Sequence, residues 1–446
     1  MTNLGPTTPF APPLYTSSCY AIPDLDALDD VYEGRSPGYT YARDGHPNGD
    51  HLAAKLAALE GGTWGITCGS GMASLSAAFV SLLKCGDTIL ASNWLYGGTS
   101  KLFNSQLSRF GVKTVSVDLS DLAATRAALE GGTWGITCGS GMASLTAAFV
   151  SLLQTGDTIL ASNWLYGGTS KLFNNQLSRF GVKTVSVDLS DLAATRVALA
   201  EHQPKLLFAE TISNPMCRVL DLAALAELAR AAGCRFVVDN TFATPVLCKP
   251  LELGADLVME SLTKMIGGHS DVILGFLAST DDSLRAPIAS AVSTWGLASS
   301  PFGCWQAERG LHTLDLRMKA ATANAAAIAD WLAVQPGIRR VIYPGRPDHP
   351  DHALAQRLFP TGCGNMLCFE LAGRDAVNHF MRTATGIPFI PSLGHASTTI
   401  SYPAGTSHRF ASSDERERQG ITPGLVRAST GCEPLDQLKR ELAKGL

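Results

Sequence analysis

Apolar runs and amphipathic segments alternate along much of the chain, and this alternation predicts strands followed by helices. Continuous apolar runs are typical of strands that are buried on both faces of a sheet, and they occur at 206–209, 236–238 and 257–259. Between two of them, residues 222–231 carry leucines on one helical face, and Asp221 is placed to cap that helix. Such an order indicates a mostly parallel sheet whose ligand lies at the carboxyl ends of the strands.

A long repeat interrupts this pattern, because residues 60–129 return as residues 130–199. The copies differ at five aligned pairs, so 65 of 70 positions are identical. Solenoid repeats diverge and need at least three units, so this pair does not indicate a solenoid. Each copy predicts strand, helix, strand, helix, strand and helix. Two origins stay open: a recent duplication between matching joins, or an artefact of sequence assembly.

Three regions are predicted. Residues 1–59 are rich in Pro, Gly, Thr and Tyr near the N-terminus and form an arm that we expect to wrap another surface. Residues 60–315, with both copies of the repeat, form a large α/β domain. Residues 316–446 begin with an Ala-rich helix followed by short strand-like runs, and they predict a smaller α+β domain.

Composition argues against several classes of protein. A net charge of -4 leaves no basic excess for nucleic acid, and 46% hydrophobic residues support a large core. We see neither a secretory signal nor an apolar run of about 18 residues that would suggest a membrane span. The 11 cysteines are scattered and include no Cys-x-x-Cys pair, so we expect a reduced, cytoplasmic setting and no metal.

A lysine stands just beyond one buried run, where chemistry is expected. Lys264 follows the run 257–259, and Ser261 and Thr263 lie beside it. A lysine can form a Schiff base with an aldehyde, and hydroxyls can donate hydrogen bonds to a phosphate. An aldehyde and a phosphate on one molecule indicate pyridoxal 5′-phosphate. For an isolated Ser-x-Thr-Lys, a surface loop would be the simpler interpretation.

Further polar residues at predicted strand ends favour the cofactor. Asp239 ends a buried run and needs a partner, and Asn214 follows the run before it. Arg427 lies among small and apolar residues, where it would bind an anion or form an ion pair. Each copy also has a Gly-Ser-Gly turn that opens a helix and suits a phosphate, and then a tyrosine on a glycine turn. These residues are Ser70, Gly71, Met72 and Tyr96 in the first copy and Ser140, Gly141, Met142 and Tyr166 in the second.

Taken together, the motifs resemble the Cys/Met-metabolism family of pyridoxal 5′-phosphate enzymes, which includes cystathionine γ-synthase and γ-lyase, methionine γ-lyase and the O-acylhomoserine sulfhydrylases. The ordered set is Tyr-x-Arg, Ser-Gly-Met, Tyr-Gly-Gly-Thr, Glu-Thr-x-x-Asn-Pro, Val-Asp-Asn-Thr, Ser-x-Thr-Lys, Gly-Gly-His-Ser-Asp, Ser-Leu-Gly and Leu-x-Arg, over about residues 39–433. The resemblance implies an α/β protein of the aspartate-aminotransferase-like fold, also called fold type I.

The resemblance also implies a role for each site residue. Lys264 would be the Schiff-base lysine, Asp239 would pair with the ring nitrogen, and Asn214 would bond the phenolic oxygen. The phosphate would be held by Ser261, Thr263 and the Gly-Met N–H groups of either copy. Tyr41 and Arg43 would reach the phosphate of a neighbouring subunit, which implies a homo-oligomer, either a dimer or a tetramer built from two dimers. Arg427 and Ser392 would bind the substrate carboxylate, and Tyr96 or Tyr166 would stack on the ring and assist proton transfer.

The expected activity is γ-elimination on a sulfur amino acid, giving a 2-oxo acid, ammonia and a thiol. Two departures from the family bear on the substrate: Glu260 stands where many relatives have His, and Pro391 where cystathionine-handling relatives often have Glu. The alternative within the class is γ-replacement on an O-acylhomoserine. An alternative of another class is an inactive cofactor-binding or structural protein, disabled by the repeat. Because one site needs one Ser-Gly-Met turn and one tyrosine, only one copy is expected to build it.

Overall fold

The structure is a computed structural model, and it describes residues 13–59, 63–92, 97–117, 134–409 and 411–446. Within these ranges the strands are β1 (Thr88–Ser92), β2 (Lys113–Val117), β3 (Trp134–Cys138), β4 (Thr158–Ser162), β5 (Lys183–Val187), β6 (Leu206–Glu210), β7 (Arg235–Asp239), β8 (Leu257–Glu260), β9 (Gly275–Ser279), β10 (Arg340–Ile342), β11 (Met366–Glu370), β12 (Thr399–Ser401) and β13 (Leu425–Ser429).

The α-helices of the same ranges are α1 (Leu25–Tyr32), α2 (Pro47–Leu59), α3 (Gly71–Leu82), α4 (Gly97–Lys101), α5 (Gly141–Leu152), α6 (Gly167–Lys171), α7 (Leu192–His202), α8 (Leu222–Ala231), α9 (Thr244–Leu247), α10 (Arg285–Thr294), α11 (Pro301–Leu311), α12 (Leu314–Leu332), α13 (His352–Leu358), α14 (Arg374–Thr383), α15 (Ser413–Arg418) and α16 (Leu435–Ala443). Each copy of the repeat also has a π-helical turn followed by a 3₁₀ turn, at Leu102–Gln106 and Leu107–Phe110 and at Leu172–Gln176 and Leu177–Phe180.

The central sheet has seven strands in the order β3-β9-β8-β7-β6-β4-β5. Strands β5, β4, β6, β7 and β8 run parallel, whereas β9 is antiparallel to both of its neighbours. The apolar runs predicted as strands become β6, β7 and β8, and every residue of β6 and β8 is buried. The predicted cap also forms, since the Asp221 side chain accepts a hydrogen bond from the Ala224 N–H at the start of α8. The predicted α/β fold with a mostly parallel sheet is confirmed.

The two copies of the repeat occupy different places in the fold. The second copy supplies β3, β4 and β5 of the central sheet, whereas β1 and β2 of the first copy pair with each other in a separate two-stranded parallel sheet. Residues 134–138 pair with β9, but the identical residues 64–68 form no strand. Strand β9 offers one free edge, so only one copy can take that position. Long-range pairing therefore decides the structure where the local sequence is the same.

The C-terminal region contains an antiparallel sheet in the order β10-β11-β13-β12. Helix α12 packs on this sheet and on α16, with Met318, Ala325 and Ile328 buried. This arrangement is the α+β architecture expected for residues 316–446. Because α12 runs across residue 315, the exact boundary between the two regions remains a prediction.

The N-terminal arm lies on its own chain. Helix α1 buries Leu25 and Leu28, and Ser18 donates its N–H to the Ser270 carbonyl at 2.7 Å. Ion pairs with the C-terminal region hold the arm in this place, and its expected contact with a neighbouring subunit remains a prediction. The pairs join Asp24 and Asp26 to Arg382, Asp26 and Asp29 to Arg374, and Asp29 and Glu33 to Arg409.

None of the helices in the described ranges has the length and apolar character needed to cross a membrane. In the same ranges, no group of three or more His, Cys, Asp or Glu side chains is placed to hold a metal ion.

Candidate active site

A cavity of about 1430 Å³ opens at the carboxyl edge of the central sheet. In the register of the sheet, Glu210 at the end of β6 is opposite Asp239 at the end of β7, and Asp239 is opposite Met259 of β8. Lys264 lies four residues beyond β8, in a turn. Glu210, Asp239 and Lys264 therefore supply three polar side chains at this edge. The alternation of strands and helices thus brings the predicted residues to one edge, as expected for a parallel sheet.

Lys264 is held by two hydroxyl groups. Its Nζ donates to Tyr41 Oη at 3.1 Å and to Ser392 Oγ at 2.9 Å. Burial lowers the pKa of Lys264 to about 8, well below the usual value for lysine. Gly394 permits this contact, because it has φ +80 and a Cβ there would lie 2.6 Å from the Met265 nitrogen. The Ser-Leu-Gly motif therefore brings Ser392 against the lysine.

The beginning of α5 offers an anion site beside the lysine. Ser140 caps the helix by accepting the Ala143 N–H at 3.0 Å. The N–H groups of Gly141 and Met142, in the first turn, have no carbonyl partner inside the helix. Gly141 packs tightly on Ser261, since a Cβ would lie 2.9 Å from the Ser261 Cβ. The Ser261 N–H in turn donates to Thr241 Oγ1 at 2.9 Å. Backbone donors at a helix N-terminus, with hydroxyls next to them, suit a phosphate.

Arg43 of the arm adds a positive charge to the same cavity. Its guanidinium lies 4.8 Å from the centre of the Tyr41 ring, and Nη2 approaches Tyr166 Oη at 3.4 Å. Tyr166 stands just before α6, where its N–H donates to Glu210 Oε1 at 2.5 Å. The arm and the second copy of the repeat thus meet at Lys264.

Three carboxyl groups end adjacent strands, and none of the three forms an ion pair within the described residues. Asp239 accepts the Thr241 N–H at 2.9 Å, and burial raises the pKa of Asp239 to about 6. Burial and then Asp239 raise the pKa of Glu210 well above its usual value. Burial likewise raises the pKa of Glu260 to about 8, and Glu260 accepts a hydrogen bond from Asn240 at 2.9 Å. Asp239 lines the cavity and has no ion-pair partner among the described residues, so it suits a protonated ring nitrogen.

Arg427 is a buried guanidinium that lacks a counterion. Its Nη1 donates to Asn214 Oδ1 at 2.7 Å and its Nη2 to the Ser392 carbonyl at 3.0 Å, while Nε has no acceptor. No acidic side chain in the described part of the chain pairs with it, and burial lowers the pKa of Arg427. An uncompensated buried charge is costly, so this arrangement suits an anionic ligand such as a carboxylate.

Several predicted residues lie elsewhere. In the first copy, Ser70 caps α3 and its hydroxyl faces the Gly296 carbonyl at 3.4 Å, and neither it nor Gly71 or Met72 lines the cavity. Tyr96 lies outside the described residues. Thr263 is buried and does not line the cavity, and its hydroxyl donates to the Leu274 carbonyl and accepts the Leu274 N–H. Its expected contact with phosphate remains a prediction.

The cavity also contains residues that the sequence analysis did not single out. Thr241 follows Asp239 in the Val-Asp-Asn-Thr motif, and its position after a buried strand was a usable signal. His408 and Arg418 come from the C-terminal region, and no pattern in the sequence pointed to them. Burial lowers the pKa of His408 to about 4, so this ring is neutral at physiological pH.

Comparison with known protein families agrees with this geometry. The sequence profile of the family described as Cys/Met metabolism PLP-dependent enzyme matches residues 3–128 and 121–446. Among curated relatives, an O-succinylhomoserine sulfhydrylase of Pseudomonas aeruginosa is 42% identical over 321 residues, covering 72% of this chain and 79% of the relative. A cystathionine beta-lyase of Bacillus subtilis is 38% identical, with coverage of 73% and 83%. An L-methionine gamma-lyase of Pseudomonas putida is 35% identical, with coverage of 78% and 88%.

Solved structures show the same likeness. The fold is similar to that of the cystathionine gamma synthase from Xanthomonas oryzae pv. oryzae, solved in complex with aminoacrylate and cysteine. The TM-score is 0.67 and the identity 31%, over 97% of this chain and 93% of the other. A cystathionine gamma-lyase from Lactobacillus plantarum, complexed with L-serine, has a TM-score of 0.67 at 29% identity, over 97% and 92% of the two chains.

Proposed function

Because the chain belongs to the Cys/Met-metabolism family of pyridoxal 5′-phosphate-dependent enzymes, we propose that it acts at the γ-carbon of an O-acylhomoserine or a sulfur amino acid, in a site built with the second copy of the repeat. The cofactor, when bound, withdraws electrons from the substrate and so stabilises carbanions. The family makes the protein an enzyme of sulfur amino-acid metabolism, whereas the identity of its substrate is our proposal.

The residues of the cavity fit this cofactor. Lys264 would hold its aldehyde carbon covalently, and Asp239 would pair with the ring nitrogen. Asn214, already bonded to Arg427, would face the phenolic oxygen. The phosphate would lie at the N-terminus of α5, where the N–H groups of Gly141 and Met142, the Ser261 hydroxyl and Arg43 supply donors and positive charge.

The observation that carries the proposal is that Ser392 joins Lys264 to Arg427. The Ser392 hydroxyl accepts from Lys264 Nζ at 2.9 Å, and its carbonyl accepts from Arg427 Nη2 at 3.0 Å. A substrate whose carboxylate binds the free edge of Arg427 therefore has its α-carbon close to Lys264. This arrangement suits an amino acid and places a base where the α-proton must leave.

Proton transfer follows from the same geometry. Lys264, once released from the cofactor, would take the α-proton, give it up to the bound cofactor and then, as a neutral amine again, take a β-proton; its lowered pKa favours the neutral amine that both transfers need. Tyr166 lies on the other side of the cavity, against Arg43, and would donate a proton to the departing γ-substituent. Tyr41 would hold Lys264 in position between these transfers.

The mouth of the cavity favours γ-replacement on an O-succinylhomoserine. Arg418 is exposed there, lines the cavity and forms no ion pair with the described acidic residues, and Lys171 lies at the same mouth. These cations would attract the distal carboxylate of a succinyl group. The relative from Pseudomonas aeruginosa, an O-succinylhomoserine sulfhydrylase, supports this choice. A second candidate is γ-elimination on methionine, supported by Pro391 at the cavity wall, where an acidic residue is absent, and by the methionine gamma-lyase relative.

An assay with matched substrates separates these activities. Purified enzyme is given O-succinylhomoserine with sulfide, O-acetylhomoserine with sulfide, methionine, or cystathionine, and the products are measured. We expect the succinyl ester to have the highest kcat/KM and Arg418→Gln to raise its KM about fivefold, since one exposed charge contact contributes about 1 kcal/mol. O-acetylhomoserine lacks the carboxylate and should be unaffected by this change.

The control is Arg416→Gln, because Arg416 donates to the Ala404 carbonyl and does not line the cavity. Equal effects of Arg418→Gln on the succinyl and acetyl esters would refute the role of the succinyl carboxylate. Faster turnover of methionine than of either ester would favour γ-elimination.

A further inference from the structure

The two copies of the repeat contact each other reciprocally. Arg109 of the first copy donates to the carbonyls of Val150 and Ser151 in the second, at 2.8 and 3.0 Å. Seventy residues along, the equivalent Arg179 donates to the carbonyls at the equivalent positions of the first copy, Val80 and Ser81, at 2.9 and 3.2 Å. Each arginine thus binds the C-terminal end of the other copy's helix, α5 or α3, where a positive charge is favourable.

Other contacts between the two copies are reciprocal in the same way. The Cys85 N–H donates to the Arg179 carbonyl at 3.1 Å, and the Thr155 N–H donates to the Arg109 carbonyl at 3.0 Å. The rings of Phe110 and Phe180, which are equivalent residues, lie 5.2 Å apart. An interface in which residue i contacts j and j contacts i is the signature of two-fold symmetry between identical subunits. Here that symmetry relates two parts of one chain.

The interface is apolar and closely packed. One core cluster joins Leu107 and Phe110 of the first copy to Leu177 and Phe180 of the second, and all four are buried. In a chain with one copy, this face would be exposed to water over several large side chains. An apolar face of this kind is covered in stable proteins by a partner. Because the face is self-complementary, the partner it fits is a second copy of itself.

The arm is joined in the chain to the first copy but contacts the site that is built with the second copy. It precedes the first copy in the chain and is joined to it through α2, yet Tyr41 and Arg43 contact Lys264 and Tyr166, which belong with the second copy. By its place in the sequence the arm belongs with the first copy, whereas the site that it contacts is built with the second copy.

We infer, taking the role of the site from the proposed function, that the first copy of the repeat replaces a partner subunit. It covers the face through which two chains without the repeat would associate, and one chain supplies Tyr41 and Arg43 to its own site. The site is then complete within a single chain, and association of chains through this face is not needed for it.

A photo-crosslinking experiment on the full chain tests whether the arm acts within its own chain. Tyr32 lies at the end of α1 with its ring 4.9 Å from the Arg409 guanidinium carbon. Two chains are co-expressed with different affinity tags. One chain carries p-benzoylphenylalanine in place of Tyr32. The other keeps Tyr32 and carries Ser397→Thr, a substitution at an exposed position that changes the mass of the tryptic peptide ending at Arg409 and so marks that peptide.

We expect light to join position 32 to the unmarked peptide of the same chain in more than nine of ten products. Cross-links to the marked peptide at a third or more of the total would overturn the inference. p-Benzoylphenylalanine at the exposed Phe302 gives the control level of contact between chains. The readout needs no cofactor, so cross-linking within the chain by a protein that fails to bind pyridoxal 5′-phosphate would refute the proposed function alone.

Discussion

Gly141→Ala and Gly71→Ala make the same change in two segments of nearly identical sequence, and they should have opposite consequences. At Gly141 an added Cβ would lie 2.9 Å from Ser261 Cβ and 3.0 Å from Ser261 Oγ. Ser261 cannot easily move away, because its N–H is bonded to Thr241 Oγ1 at 2.9 Å. At Gly71 no atom outside its immediate neighbours lies within 4 Å of the added Cβ.

The size of the effect follows from this overlap. Inserting a methyl group into a closely packed place costs about 1–3 kcal/mol. If that cost is taken from cofactor binding, the dissociation constant of pyridoxal 5′-phosphate rises roughly 5- to 150-fold. Gly71→Ala should leave that constant unchanged and raise the stability of α3 by up to about 1 kcal/mol, since alanine favours a helix more than glycine does.

The assay is a titration of each apoprotein with pyridoxal 5′-phosphate, followed by the visible absorbance of the bound cofactor, with a thermal melt of each apoprotein to detect misfolding. Weaker binding by the Gly71→Ala protein, or equal weakening by both, would refute the assignment of the site to the second copy. An unchanged constant for Gly141→Ala would show that the phosphate does not lie at the N-terminus of α5.

Three further changes test individual roles in the site. Asp239→Asn should lower kcat by roughly 100-fold or more while cofactor binding changes little, because the ring nitrogen loses its negative partner; a kcat within twofold of the parent would make Asp239 a structural carboxylate. Tyr166→Phe should lower kcat about 10²- to 10⁴-fold, the range for loss of a general acid, and Tyr96→Phe should be nearly silent; similar partial losses from both would contradict a single site. The rate of cofactor loading should rise about tenfold per pH unit below pH 8 and level off above it, because the neutral amine of Lys264 reacts and its pKa is lowered to about 8 by burial; a rate still rising at pH 10 would show an ordinary lysine.

Part of the central sheet could be predicted because three of its parallel strands are locally distinct. The runs that become β6, β7 and β8 are apolar throughout, and the polar residues that follow them had to meet at one edge. Asp239 and Lys264 were singled out as candidates in this way. Arg427 was singled out because a guanidinium among apolar neighbours must bind an anion or an acid.

Other features could not be predicted because they depend on long-range contacts. Residues 64–68 and 134–138 have the same sequence, and only pairing with β9 makes the second a strand. Thr263 looked suited to phosphate, but its hydroxyl is taken by the backbone of Leu274. The path of the arm depends on ion pairs with arginines more than 340 positions away, such as the pair of Asp29 with Arg374. No local sequence pattern predicts these ion pairs.

The central claim is that Lys264 holds the cofactor in a site built with the second copy. The most direct test is to reduce the holoenzyme with borohydride, digest it and locate the pyridoxyl group by mass spectrometry. We expect the group on Lys264, with none on the same peptide when the Lys264→Ala protein is treated in the same way. A pyridoxyl group found mainly on another lysine, such as Lys171 at the mouth of the cavity, would contradict the account.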